Sequence, residues 1–163
     1  MTVERFILAA ITTISIASVF YIPKDKYRLS FISFLSFQAL SWITIIFLVQ
    51  TGSIEFPVRE FPRATNVGFL VNYIFLPALF VWSVLISQNM VSIIHKVINS
   101  FIFISLMVWF IYFISTYTQL ENFIKGTFSS HIIRLYIEFI AYFIICNIYI
   151  SWFTKKTKVL VTE

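Results

Sequence analysis

A chain of 163 residues with 60% apolar side chains, 20% aromatics and only 12% charged residues is too apolar for an ordinary soluble domain, which carries about 25% charge. Its length leaves room for one small domain, residues 1–163. The formal charge of +5 does not read as a nucleic-acid surface: the basic residues stand singly or in short groups at the ends of apolar runs, so no nucleic-acid partner is expected.

Twelve Lys and Arg and seven Asp and Glu leave five long uncharged stretches, at 6–23, 29–54, 64–95, 97–120 and 139–154. About 20 apolar residues cross a ~30 Å hydrocarbon core as α-helix. The charge map therefore predicts an all-α membrane protein, a bundle of about five transmembrane helices near 6–22, 29–50, 67–87, 98–118 and 132–153. Helices that face both lipid and protein are apolar nearly all round, which explains the weak amphipathicity.

The first span contains Thr12, Ser15 and Ser18 on one side, small hydroxyl residues suited to close helix approach and interhelical hydrogen bonds. Its Ser15-Ile16-Ala17 also has the small-x-small form of a signal-peptide cleavage site, but the start, MTVERF, lacks a net positive segment, and cleavage would invert the basic bias described below. Pro23 ends the span, and Pro23-Lys24-Asp25-Lys26-Tyr27-Arg28 allows only a tight turn into the second. In that span Ser30, Ser33, Gln38, Ser41 and Thr44 occupy a face about 140° wide at about 100° per residue, with Trp42 at its edge. This face is expected to point into the bundle.

The connection at 51–66 carries two Phe-Pro steps, Phe56-Pro57 and Phe61-Pro62, which make it stiff and partly non-helical. Its alternation of apolar residues with Glu55, Arg59, Glu60 and Arg63 suits an interfacial segment on the headgroups. Span three holds Asn72 and Pro77, the proline far enough inside to kink the helix and free a backbone carbonyl. Span five opens with Arg134 and Glu138, four residues apart on one face. An intramembrane carboxylate is a functional-site candidate, and the competing reading makes Arg134–Glu138 a structural pair. Gln38 and Asn72 are expected to hydrogen-bond between helices or to contact a ligand.

Orientation follows from the basic residues. Lys24, Lys26 and Arg28, then Lys96, then Lys155, Lys156 and Lys158 follow alternate spans and are expected inside, giving N-terminus out and C-terminus in. The inner rim is mostly Lys, whereas the outer rim combines Arg with Glu, types that pair in a planar two-bonded geometry. The outer rim, Glu55, Arg59, Glu60 and Arg63, is thus a candidate interaction face.

Catalytic and metal signatures are missing from the pattern. His95 and His131 fall at opposite membrane faces, Cys146 is the one cysteine, Asp25 the one aspartate, and three scattered glycines make no phosphate loop. No catalytic residue, cofactor or metal is expected. The heavy use of Phe, Ile, Asn, Lys and Tyr is that of AT-rich coding and suggests a low-GC bacterium.

Glu4-Arg5, Ile22-Pro23-Lys24-x-Lys26-x-Arg28, Phe37-Gln38-x-x-x-Trp42 and Phe56-Pro57-Val58-Arg59-Glu60-Phe61-x-x-Ala64 together resemble a family of small multi-pass membrane proteins of Bacillus, Clostridium and relatives. The likeness is densest over residues 1–77, with Tyr117-Thr118 and Trp152-Phe153-x-Lys155 as echoes. It implies a multi-pass fold in a bacterial plasma membrane and brings no activity. Where the family pattern has Tyr and Glu this chain has Phe56 and Asn72, so a role resting on a carboxylate in span three does not carry over.

Three readings follow. The first is a non-enzymatic membrane component binding a partner protein, a second copy, a lipid or a small ligand through its outer Arg/Glu face. The alternative is a small transporter or permease subunit using Glu138, Gln38 and Asn72, and an intramembrane enzyme ranks third.

Overall fold

A computed structural model describes residues 3–61, 63 and 65–161. Pro62, Ala64 and Glu163 lie outside the described residues. The chain is an all-α membrane protein: α1 (Val3–Phe20), α2 (Tyr27–Gln50), α3 (Leu76–Gln88), α4 (Ile93–Tyr117) and α5 (Phe128–Val161), with a π-helical turn at Val71–Phe75 leading into α3. Among the described residues five helices are long and apolar enough to cross a membrane, as the charge map predicts. The 34 residues of α5 extend roughly 50 Å, so it outruns a ~30 Å hydrocarbon core.

Helices α2, α3, α4 and α5 make the central bundle. Its core joins Phe37 of α2, Phe80 and Val84 of α3, Met107 and Ile111 of α4, and Phe139 and Phe143 of α5. α1 is peripheral and packs Leu8 and Ile11 against Val71, Ile114 and Leu120. Thr12, Ser15 and Ser18 donate their hydroxyls to the carbonyls of Leu8, Ile11 and Ser15 in their own helix, so the expected hydrogen bonds across helices are replaced by local ones.

Pro77 shapes the third span as its chemistry requires. Proline offers no N–H, so the Tyr73 carbonyl loses the donor a regular helix would supply. The helix adjusts by widening: Leu76 N–H reaches back to the Val71 carbonyl, which leaves the Asn72 carbonyl without its regular partner as well. α2 supplies both replacements. Gln38 Nε2 donates to the Tyr73 carbonyl at 3.0 Å and the Ser41 hydroxyl donates to the Asn72 carbonyl at 3.2 Å. The polar face read on span two is thus partly the complement of one proline 39 residues further on, and in lipid such carbonyls need a protein partner.

At one end of the bundle two connections knit into a roof. β1 (Ile54–Glu55) pairs antiparallel with β2 (Asn122–Phe123), Ile54 opposite Phe123 and Glu55 opposite Asn122. Val58 N–H donates to the Gln119 carbonyl at 3.0 Å, Ile124 N–H to the Ser53 carbonyl at 3.0 Å, and Lys125 Nζ to the Thr51 carbonyl at 2.7 Å. Ile54 and Phe56 are buried in a cluster with Ile45, Val67 and Tyr73, so these apolar residues of the 51–66 segment turn into the bundle end instead of resting on headgroups. Phe56 lies directly over Gly68, where an added Cβ would come within 2.8 Å of the ring. Glu60 accepts the N–H groups of Phe69 at 2.9 Å and Leu70 at 3.1 Å, capping the start of the third span.

Candidate functional site

Directly beneath the roof, side chains from α2, the π-helical turn, the start of α3, α4, the α4–α5 connection and α5 enclose a small cavity. Ser41, Asn72, Glu121, Arg134 and Glu138 form its polar wall, and Leu76, Ile111 and Phe139 are among its apolar contacts. The space open to the centre of a water-sized sphere is about 10 Å³, room for about one water molecule.

Three of its polar groups find no hydrogen-bond partner among the described residues: Glu121 Oε2, Asn72 Oδ1 and Arg134 Nε. Glu121 is 2% exposed and Asn72 1%, so water outside cannot satisfy them. Asn72 spends its amide on the Gly68 carbonyl at 3.2 Å, which leaves only its oxygen for the cavity. Glu138 Oε1 accepts the Tyr142 hydroxyl at 2.7 Å, which leaves Oε2 as its second acceptor. Arg134 makes no hydrogen bond to Glu138; its guanidinium lies 5.4 Å from the centroid of Phe123 in β2, and Phe123 stacks on His131 at 4.3 Å. α5 therefore braces the roof from below through Arg134 and His131.

The electrostatics centre on Glu121, which lies in the connection between the fourth and fifth spans. Burial first, and then the negative charge of Glu138, push its carboxyl up to about 8 against the opposing charge of Arg134. Among the described residues no three His, Cys, Asp or Glu side chains cluster in a way that could hold a metal ion.

The structure divides the residues that the sequence singled out. Arg134, Glu138 and Asn72 come together at the cavity, and Gln38 stands one step away as a helix-to-helix donor. Trp42 does not belong: it is 57% exposed, which corrects the expectation that it edges an inward face. The buried line of α2 is Ser30, Ser33, Phe37, Ser41 and Ile45, and Trp42 is turned about 100° from Ser41 on the helix. Of the outer-rim candidates, Arg59 donates to Asn66 Oδ1 at 2.9 Å and Glu60 caps a helix, while Glu55 and Arg63 remain exposed.

Two polar residues went unread in the sequence as parts of sites. Glu121 is there only one of seven acidic residues, and the signal that could have found it is a lone carboxylate just past a span, opposite a long connection able to fold over it. Asn99 on α4 donates to the Ser83 carbonyl at 2.9 Å, to Ser83 Oγ at 3.1 Å and to Ser87 Oγ at 2.9 Å, a buried clamp between α3 and α4. Compared with family models, curated proteins and solved structures, the chain has no match.

Proposed function

We propose that this protein is a non-enzymatic component of a bacterial plasma membrane, N-terminus outside and C-terminus inside, that binds a small polar occupant within the bundle beneath its paired loops. The observation that carries the reading is the pair of unpartnered oxygens, Glu121 Oε2 and Asn72 Oδ1, on almost fully buried side chains of one cavity. A buried acceptor left unmet costs about 1–3 kcal/mol, and folded proteins retain few of them. With Glu138 on the same wall, the occupant is one that oxygen acceptors hold, a hydrogen-bond donor or a small cation. The orientation rests on the lysine-rich connections, and an odd number of spans sets the termini on opposite faces. Partner contact at the outer face falls to Glu55 and Arg63, because Arg59 and Glu60 are engaged within their own segment.

A second reading, a small transporter subunit, draws on one further observation. Glu138 bonds Tyr142, Tyr142 approaches Thr44, and this polar line leads from the cavity along α5 and α2 beside the helix that Pro77 interrupts.

Melting of the protein in lipid nanodiscs, with sodium, potassium, ammonium and protons as the probes, tests the reading. At least one probe is expected to move the midpoint of the wild type and to lose that effect in E121Q. A midpoint insensitive to all four, or equally sensitive in E121Q, would overturn it.

A further inference from the structure

We infer that the cavity is a proton-binding site whose occupants are one water molecule and one proton, the proton held by Glu121. This deepens the proposed binding reading and rests on it. The proposal follows from the charges and the unpartnered groups at a cavity with room for about one water. Arg134 Nε brings one unpartnered donor, while Glu121 Oε2 and Asn72 Oδ1 bring two unpartnered acceptors. Glu138 brings a second carboxylate to the same wall, its Oε1 held by the Tyr142 hydroxyl. With both carboxylates ionised the cavity wall carries two negative charges against the one positive charge of Arg134, and Glu121, 2% exposed, has no water outside to offset the excess.

A single proton on Glu121 closes the set. Its O–H and Arg134 Nε–H then donate to the water, and the water donates to Asn72 Oδ1 and Glu138 Oε2. Every group is satisfied, and the site is electrically neutral, with Glu138 negative against Arg134. Loss of the proton to bulk water leaves the Glu121 carboxylate with its electron pair and gives the site one net negative charge, which its burial disfavours.

An alkali cation fits less well. It would satisfy the three oxygens but would leave Arg134 Nε without an acceptor and bring two positive charges together. The charged groups acting on Glu121 are Arg134 and Glu138, both from α5. α2 contributes Ser41, the π-helical turn contributes Asn72, and α4 presents Ile111. In the roof Glu55 is exposed and Lys125 is bonded to the Thr51 carbonyl.

Difference infrared spectroscopy of the protein in lipid nanodiscs tests the inference through the carbonyl stretch of a protonated carboxyl. The wild type is expected to hold one such band at neutral pH, and the band should fade as the pH passes about 8. E121Q should abolish it, whereas E138Q should keep it with a lower midpoint, because the repelling charge is gone. If E121Q does not fold, the E138Q titration decides alone. A band that survives E121Q, or carboxyls fully ionised at neutral pH, would overturn the inference. So would a midpoint that follows sodium or potassium concentration, and that result would leave the binding reading standing. Loss of both the band and every probe effect on melting would remove both.

Discussion

Raising the pH from about 5 to about 9 is expected to lower the stability of the wild-type protein and to leave E121Q nearly level. The folded pKa of Glu121 is raised, from an ordinary 4.5 to about 8. Between those values the folded protein holds a proton that the unfolded chain has released, so stability is full below about 4.5 and falls as the pH climbs through the folded value. Each pH unit of that window is worth up to about 1.4 kcal/mol, which bounds the loss at about 5 kcal/mol. Gln has the shape of a protonated Glu and cannot ionise, so E121Q keeps the low-pH stability throughout. Because Glu138 acts on Glu121, the apparent midpoint belongs to the pair. Thermal midpoints in nanodiscs at a series of pH values measure this. Stability that rises with pH across the window, or a slope unchanged in E121Q, would contradict it.

The second large effect is expected at Phe37, where Phe37→Ala should cost about 3 kcal/mol or more. Its side chain is fully buried and bridges to two neighbouring helices, α3 and α5: the ring stacks on Phe80 at 5.1 Å and meets the edge of Tyr142 at 5.4 Å, with Phe139 and Phe143 also within ring-contact distance. Lipid is as apolar as the core, so little of this cost comes from exposure to water. It comes from the packing contacts that a void cannot replace. Trp42→Ala, five residues along the same helix but lipid-facing, should change stability by about 0.5 kcal/mol or less. Reversible unfolding in mixed micelles separates the two variants. Equal costs would mean that α2 does not present this face to the bundle.

The five spans were legible because the cost of a charge in hydrocarbon is written locally: every apolar run long enough to cross is bounded by charged residues. Pro77 was legible for the same reason, since a missing N–H is a property of one residue and its carbonyl consequence follows. The partners of those carbonyls, Gln38 and Ser41, were visible only as a polar face, because nothing in the helical period says which neighbour the face meets. The roof was not legible. Ile54–Glu55 and Asn122–Phe123 are two-residue strands about 70 positions apart, too short to announce themselves and formed only once the helices bring their connections together. Glu121 was hidden with them, for its burial is created by that pairing and has no local signature. Trp42 misled because an aromatic at the edge of a polar face packs inward or meets lipid with equal ease, and the rotation of α2 decides.

A high-resolution structure of the protein in lipid at neutral pH tests the central claim most directly. One water molecule is predicted within hydrogen-bond distance of Glu121, Asn72 Oδ1, Arg134 Nε and Glu138, beneath an intact pairing of 54–55 with 122–123. A metal ion in that position, or Glu121 turned out to bulk solvent with the two connections apart, would contradict it.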